Sequence, residues 1–129
     1  MPVRSLNSSV IKWPDKQTVH AAICAWVKEL VRRRKDVLQA GYIGSYARGD
    51  WGVGSDVDLV VILESDTNLF GGQTLEPDFM DIPVHVDLLL YSHQEWERLA
   101  QEGGRFYQTV QREAEWVYKR EPENREKGA

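Results

Sequence analysis

Three aspartates are candidates for chemistry because they interrupt apolar segments at positions where a carboxylate needs a partner. Asp56 and Asp58 flank Val57 at the start of one apolar run, and Asp87 lies within another. Residues two apart in a strand project from the same face, so Asp56 and Asp58 point together. Carboxylates this close repel and raise each other's pKa, which is costly unless a cation lies between them. Mg²⁺, a hard ion that binds carboxylates and phosphate oxygens, fits this requirement.

Asp87 repeats this logic on a separate predicted strand, where alternation places it beside His85 and away from the apolar face. If the two strands are neighbours, the three carboxylates can converge. Such a set can hold two Mg²⁺ ions roughly 3.5–4 Å apart, the arrangement used for in-line phosphoryl displacement. One aspartate in a strand is more often an edge or turn residue, but three in this pattern favour a metal site. For His85 we favour exposure or support of the ligands over metal ligation, because Mg²⁺ prefers oxygen.

Gly44 and Ser45 follow a predicted strand and precede a predicted short helix. Glycine lets the backbone approach a ligand closely, and the N–H groups that open a helix point towards an anion. The Ser45 hydroxyl adds a further donor. Many strand-to-helix turns contain Gly-Ser, so this pair is informative only together with the aspartates.

The remaining pattern predicts an α/β (α+β) domain with a small mixed sheet of three or more strands and helices packed on one face. A first helix begins at Pro14 and Asp15 and carries an apolar stripe. Ser92 and Glu95 form a predicted capping box for a helix to about Ala100. Strands are predicted at 37–43, 57–63 and 84–91, a last helix at 106–117 and a long loop at 64–82.

Composition indicates one domain, 1–129, with a loose arm at 1–12 and a flexible tail at 119–129. Of the 129 residues 42% are hydrophobic and 28% charged, as in globular proteins. The longest apolar run, at 59–63, is of strand length, and no signal core precedes it, so no membrane contact and a cytoplasmic location are expected. A net charge of −4 argues against general nucleic-acid binding. The single cysteine, Cys24, excludes an internal disulfide.

The sequence leaves the roles of several further residues open between a structural and a functional interpretation. The basic run Arg32–Lys35 is either a solvated helix end that complements the helix dipole or a contact for a phosphate or an acidic partner. Cys24 is interpreted as a small packed side chain in preference to a reactive thiol. Trp51 could stack on a base or anchor its loop. Tyr46 has no predicted role.

The string GSYARGDWGVGSDVDL, residues 44–59, resembles the signature of the DNA polymerase β nucleotidyltransferase superfamily. The string is similar to the motif of the minimal nucleotidyltransferase branch, which consists of GSxARG, a five-residue loop and SDxDL. The likeness extends over about residues 14–118. It implies that Gly44 and Ser45 bind the triphosphate of ATP or another NTP. It also implies that three aspartates, Asp56, Asp58 and Asp87, bind two Mg²⁺ ions, with Asp87 next to the acceptor hydroxyl.

Arg48 and Ser55 match family positions that approach phosphate or brace the loop. For Arg48 a phosphate contact and a structural ion pair both stay open, and Ser55 is favoured as a brace. The resemblance implies attack by a hydroxyl on the α-phosphorus with pyrophosphate as the leaving group. Asp87 would then accept the hydroxyl proton.

The resemblance implies an antitoxin that adenylylates a tyrosine of a HEPN-type RNase toxin, as part of a homo- or hetero-oligomer. We expect a small or protein acceptor because 129 residues leave no room for a separate substrate domain. One alternative is a small-molecule nucleotidyltransferase, similar to aminoglycoside-modifying enzymes and acting as an oligomer. Another is a non-catalytic antitoxin that neutralises its partner by binding.

Overall fold

The structure, a computed structural model, describes residues 13–64 and 79–120. The elements follow in chain order: α1 (Lys16–Arg33), β1 (Val37–Ile43), α2 (Ser45–Arg48), β2 (Val57–Leu63), β3 (Val86–Ser92), α3 (His93–Glu102), α4 (Arg105–Glu113) and β4 (Glu115–Lys119). The sheet has the order β3-β2-β1-β4. β1 runs antiparallel to β2 and β4, whereas β2 and β3 are parallel. The predicted α/β fold with a mixed sheet is therefore confirmed.

Helix α1 is present as predicted but begins at Lys16, after the predicted start at Pro14 and Asp15, because Asp15 is its N-cap. The Asp15 carboxylate accepts a hydrogen bond of 2.9 Å from the Thr18 N–H, which would otherwise lack a partner. The apolar stripe then buries one face of the helix against the sheet. Its buried members are Val19, Ile23, Val27 and Leu30.

Helices cover both faces of the sheet, which corrects the expectation that they pack on one face. The α1 stripe joins one core with Leu59 and Val61 of β2. On the opposite face, the aromatic rings of Trp96 in α3 and Phe106 in α4 pack against Tyr91 of β3. The reason lies in β2, whose burial is nearly complete over the run 59–63 on both faces. A strand that is apolar on both faces needs cover on both.

Two predicted boundaries differ from the structure. Strand β3 begins at Val86, two residues after the predicted start, and includes Ser92. The predicted last helix ends at Glu113, and Val117 belongs to β4 instead. Val110, Ala114 and Val117 do lie at helical spacing, but the segment 115–119 pairs with the free edge of β1, and tertiary pairing overrides local spacing.

The predicted tail is wrong at its first positions. Lys119 pairs with Gln39, and the Arg120 N–H donates to the Leu38 carbonyl at 2.8 Å. The rest of that tail, the arm at 1–12 and most of the loop at 64–82 lie outside the described residues. None of the described helices is both long and apolar enough to span a membrane.

Candidate active site

Carboxylates converge at one end of the parallel strand pair. Asp58 and Asp87 are direct partners in the register of β2 and β3. Asp56 and His85 precede the two strands, and the Val57 N–H donates to the His85 carbonyl at 3.0 Å. Asp56 and Asp87 are exposed, while Asp58 is partly buried. The expected convergence on the solvent-reachable face is therefore observed.

The electrostatics of this group show that it is crowded with negative charge. Burial raises the pKa of Asp58, and the neighbouring charges of Asp87 and Asp56 raise it further. A hydrogen bond between the side chains of Asp58 and Asp87 acts in the same direction. These effects together disfavour the ionised form of Asp58 and mark a place where a positive charge would be stabilising.

His85 is exposed beside the carboxylates, in agreement with the exposure or support of the ligands that the sequence analysis favoured. Its Nδ1 is 3.9 Å from Oδ2 of Asp56, and both side chains are more than half exposed. Asp56, His85 and Asp87 each present one ligand atom, and these atoms lie within 4.8 Å of one another. The only sequence signal for this was the spacing of two between His85 and Asp87 in a predicted strand.

Gly44 brings the backbone next to the carboxylates. It stands between β1 and α2 with φ of 101° and ψ of −163°, a conformation essentially restricted to glycine. A Cβ at this position would lie 3.6 Å from Oδ2 of Asp58. Ser45 begins the single turn of α2, which the Arg48 N–H closes by donating to the Gly44 carbonyl at 3.0 Å. The Gly-Ser turn therefore lies at the rim of the carboxylate group.

Arg48 and Ser55 make contacts within the loops around the site. The Arg48 guanidinium lies 3.1 Å from the carboxylate of Asp50 and 3.3 Å from that of Glu113. Ser55 Oγ accepts a hydrogen bond of 2.8 Å from the Gly52 N–H, and the Ser55 N–H donates to the Gly52 carbonyl at 3.0 Å. Ser55 thus braces the loop, and a phosphate contact of either residue stays a prediction.

Trp51 is an anchor for the loop that joins the two halves of the motif. Its ring stacks on Tyr46 with ring centres 5.4 Å apart and planes 8° from parallel. Tyr46 is fully buried and donates its hydroxyl hydrogen bond to the Pro14 carbonyl at 2.9 Å. This role of Tyr46 was missed because no spacing in the sequence connects it to Pro14.

The basic run does not reach the carboxylates. It precedes β1, whereas Gly44 follows β1, so the seven-residue strand separates them by roughly 20 Å. Arg34 forms a bidentate salt bridge with Asp36, with N–O distances of 2.9 and 2.7 Å. Arg32 pairs with Glu29 within the helix at 2.7 Å. A donor phosphate at the carboxylates therefore cannot touch this run.

Cys24 belongs to a polar cluster on α1 rather than to the carboxylate site. Its sulfur lies 3.4 Å from Nε2 of His20, whose Nδ1 is 2.7 Å from the Tyr42 hydroxyl. Burial raises the pKa of the Cys24 thiol, which disfavours the reactive thiolate. These contacts agree with a packed side chain.

The structure thus combines a mixed sheet with a Gly-Ser turn beside a pair of aspartates. The comparison with protein families matches residues 23–126 to the nucleotidyltransferase domain family, and the chain therefore belongs to that family. A comparison with curated protein sequences found no match. Among solved structures, the chain is similar to a candidate nucleotidyltransferase from Sulfolobus solfataricus, with a TM-score of 0.57 and 18% identity. The likeness covers 83% of this chain and 86% of that one, and it supports the fold.

Proposed function

We propose that this domain transfers a nucleoside monophosphate from an NTP to a hydroxyl group, with divalent cations held by Asp56, Asp58 and Asp87. The observation that carries the proposal is the direct pairing of Asp58 with Asp87 across β2 and β3, next to Gly44. Family membership supports transfer of a nucleotidyl group in general. The identity of the metal ion and that of the acceptor go beyond what family membership supports, and both are part of the proposal.

The residues fit a divalent cation by their chemistry. Three carboxylates supply the hard oxygen donors that Mg²⁺ prefers, and Asp56 and Asp87 are open to solvent. Burial, and then the charges of Asp87 and Asp56, raise the pKa of Asp58, and a cation would offset the repulsion among these carboxylates. When bound, Mg²⁺ supplies charge neutralisation for the phosphate oxygens and acidifies a hydroxyl near it.

The chain's own groups would orient the reactants and move one proton. Gly44 and Ser45 would hold the triphosphate at the rim, and Arg48 would exchange its exposed partner Asp50 for a phosphate oxygen. Asp87 would accept the proton of the acceptor hydroxyl. The hydroxyl oxygen bonds to the α-phosphorus while the bond to the pyrophosphate oxygen breaks, so the products are a nucleotidylated acceptor and pyrophosphate.

For the acceptor we propose a tyrosine of a HEPN-type toxin, which would make the domain an antitoxin acting by adenylylation. The support is the resemblance of residues 44–59 to the minimal nucleotidyltransferase branch. Transfer to a small molecule by an oligomer is the second candidate. A purely binding antitoxin is the third, and the glycine and aspartate geometry disfavours it because binding alone does not require paired carboxylates.

The test uses ATP labelled at the α- or the γ-phosphate, incubated with the protein, Mg²⁺ and lysate of its own cells. Label from the α-phosphate should remain on an acceptor, whereas label from the γ-phosphate should leave with pyrophosphate. Gel electrophoresis and thin-layer chromatography then separate protein from small-molecule acceptors. Transfer of the γ-label instead would indicate a kinase and refute the proposal. Absence of both transfer and calorimetric binding of Mg²⁺-ATP would support the binding antitoxin.

A further inference from the structure

The described carboxylate site contains one nitrogen donor, and its position matters for the choice of metal. His85 precedes β3 by one residue and presents its ring to the same group of atoms as Asp56 and Asp87. Its side chain is 67% exposed, and the ring nitrogen nearest to Asp56 lies 3.9 Å away. That distance is too long for a hydrogen bond between His85 and Asp56. The contact with Asp56 therefore leaves the imidazole nitrogen able to bind a metal ion together with the carboxylates.

Imidazole and carboxylate differ in the ions they favour. Mg²⁺ binds oxygen donors and retains its water molecules, so a nitrogen ligand adds little to its binding. First-row transition ions accept imidazole nitrogen readily, and their affinity rises from Mn²⁺ through Fe²⁺ and Co²⁺. A set of two carboxylates and one imidazole therefore shifts the preference of a site away from Mg²⁺.

We propose that His85 is a metal ligand that makes this site prefer Mn²⁺ and related first-row divalent ions to Mg²⁺. The inference rests on the proposed function only in that a divalent cation binds at these aspartates. Asp87 would belong to both parts of the site, since it is the register partner of Asp58 and its ligand atom lies within 4.8 Å of those of Asp56 and His85. His85 would thus set metal specificity without taking part in the proton transfer.

The sequence offers a matched control. The chain has three histidines, and His93 is similar to His85 in exposure, with 55% of its side chain accessible. His93 begins α3 at the far end of β3, where Nε2 lies 3.6 Å from the Glu97 carboxylate. The third, His20 on α1, contacts the hydroxyl of Tyr42 in β1. His85→Gln and His93→Gln therefore remove similarly exposed imidazoles, of which only His85 lies at the aspartate site.

The experiment loads the full chain with Mn²⁺ and measures nitrogen modulation in pulsed EPR, which detects a nitrogen bonded directly to the ion. Wild type and His93→Gln should show imidazole modulation, and His85→Gln should lose it. Mn²⁺ titrations should show weaker binding of His85→Gln by at least about tenfold, since loss of a group that merely supports a ligand already costs that much. Mg²⁺ binding, measured by calorimetry, should change less.

The outcomes separate this inference from the proposed function. Absence of nitrogen modulation in wild type, or its persistence in His85→Gln, overturns the inference even if the protein transfers nucleotides. Loss of modulation in His85→Gln alone supports the inference even if no transfer is found. An equal loss of Mg²⁺ and Mn²⁺ affinity would also overturn it, because the nitrogen would then confer no preference. If His85→Gln does not fold, absence of nitrogen modulation in wild type, or its loss in His93→Gln, still overturns the inference.

Discussion

Asp58→Asn tests the central assignment because it removes one negative charge and almost no volume. Asp58 faces Asp87 across the strand pair and is the least exposed of the three aspartates. In the proposed reaction its charge helps to hold the cation, so the variant should lose transfer. Without a bound cation the same charge destabilises the folded protein, since burial and two neighbouring carboxylates raise the pKa of Asp58. Activity and stability should therefore change in opposite directions.

The size of the stability effect follows from the spacing of the strands. At the separation of about 4.8 Å between neighbouring strands, two unit charges repel by about 0.9 kcal/mol in bulk water and about 3.5 kcal/mol at an effective dielectric constant of 20. Asp58 is partly exposed, which places the gain near the lower figure, about 1 kcal/mol. For a domain of this size that corresponds to about 4 °C in Tm. Transfer should fall on the order of 10³-fold.

The assay compares wild type and Asp58→Asn by thermal unfolding at neutral pH with a metal chelator, then with Mg²⁺-ATP. Wild type should gain about 2.7 kcal/mol of stability when the ligand is at 100 times its Kd, and the variant should gain much less. Asp36→Asn is the control, since Asp36 lies at the opposite end of β1 and pairs with Arg34. A variant of Asp58 that melts earlier than wild type yet transfers nucleotide normally would refute the reasoning.

Three further outcomes are expected. Gly44→Ala should lower the free energy of unfolding in urea by about 1–3 kcal/mol because φ of 101° strains any other residue, whereas Gly52→Ala, which meets no atom within 4 Å, should be near neutral. Asp36→Asn should cost about 1 kcal/mol at neutral pH. The hydrogen bond from Arg34 lowers the pKa of Asp36, so this cost should vanish in a pH series as the pH falls through that lowered pKa. Arg48→Gln should change the unfolding free energy by less than about 1 kcal/mol while it raises the KM for the NTP, and an unchanged KM would limit Arg48 to its ion pairs.

The carboxylate site could be predicted because its signal is local. Alternation with a period of two fixes the faces of Asp56, Asp58 and Asp87, and the only long-range condition, adjacency of β2 and β3, is met. Gly44 could be predicted because a strand-to-helix turn next to a ligand requires little more than glycine. The ligand roles themselves stay predictions.

Other features could not be predicted because distant partners decide them. The residues at 115–119 form a strand only because β1 has a free edge, while their spacing also fits a helix. The stacking of Trp51 on Tyr46 depends on how the loop that carries Trp51 folds back onto α2. The cover on both sheet faces could have been inferred, since Val60 and Ile62 alternate with Leu59 and Val61 in one uninterrupted apolar run.

The position of β1 in the sheet determines the order in which the molecule can assemble during synthesis. β1 pairs with β2, which follows closely in the chain, but also with β4, which comes last among the strands. A chain emerging from the ribosome can therefore join β1, β2 and β3, together with their aspartates, before β4 exists. Until then one edge of β1 presents unpaired backbone groups that invite aggregation. The Lys16–Glu115 contact of 3.0 Å, which ties the first turn of α1 to β4, also forms only at that last step.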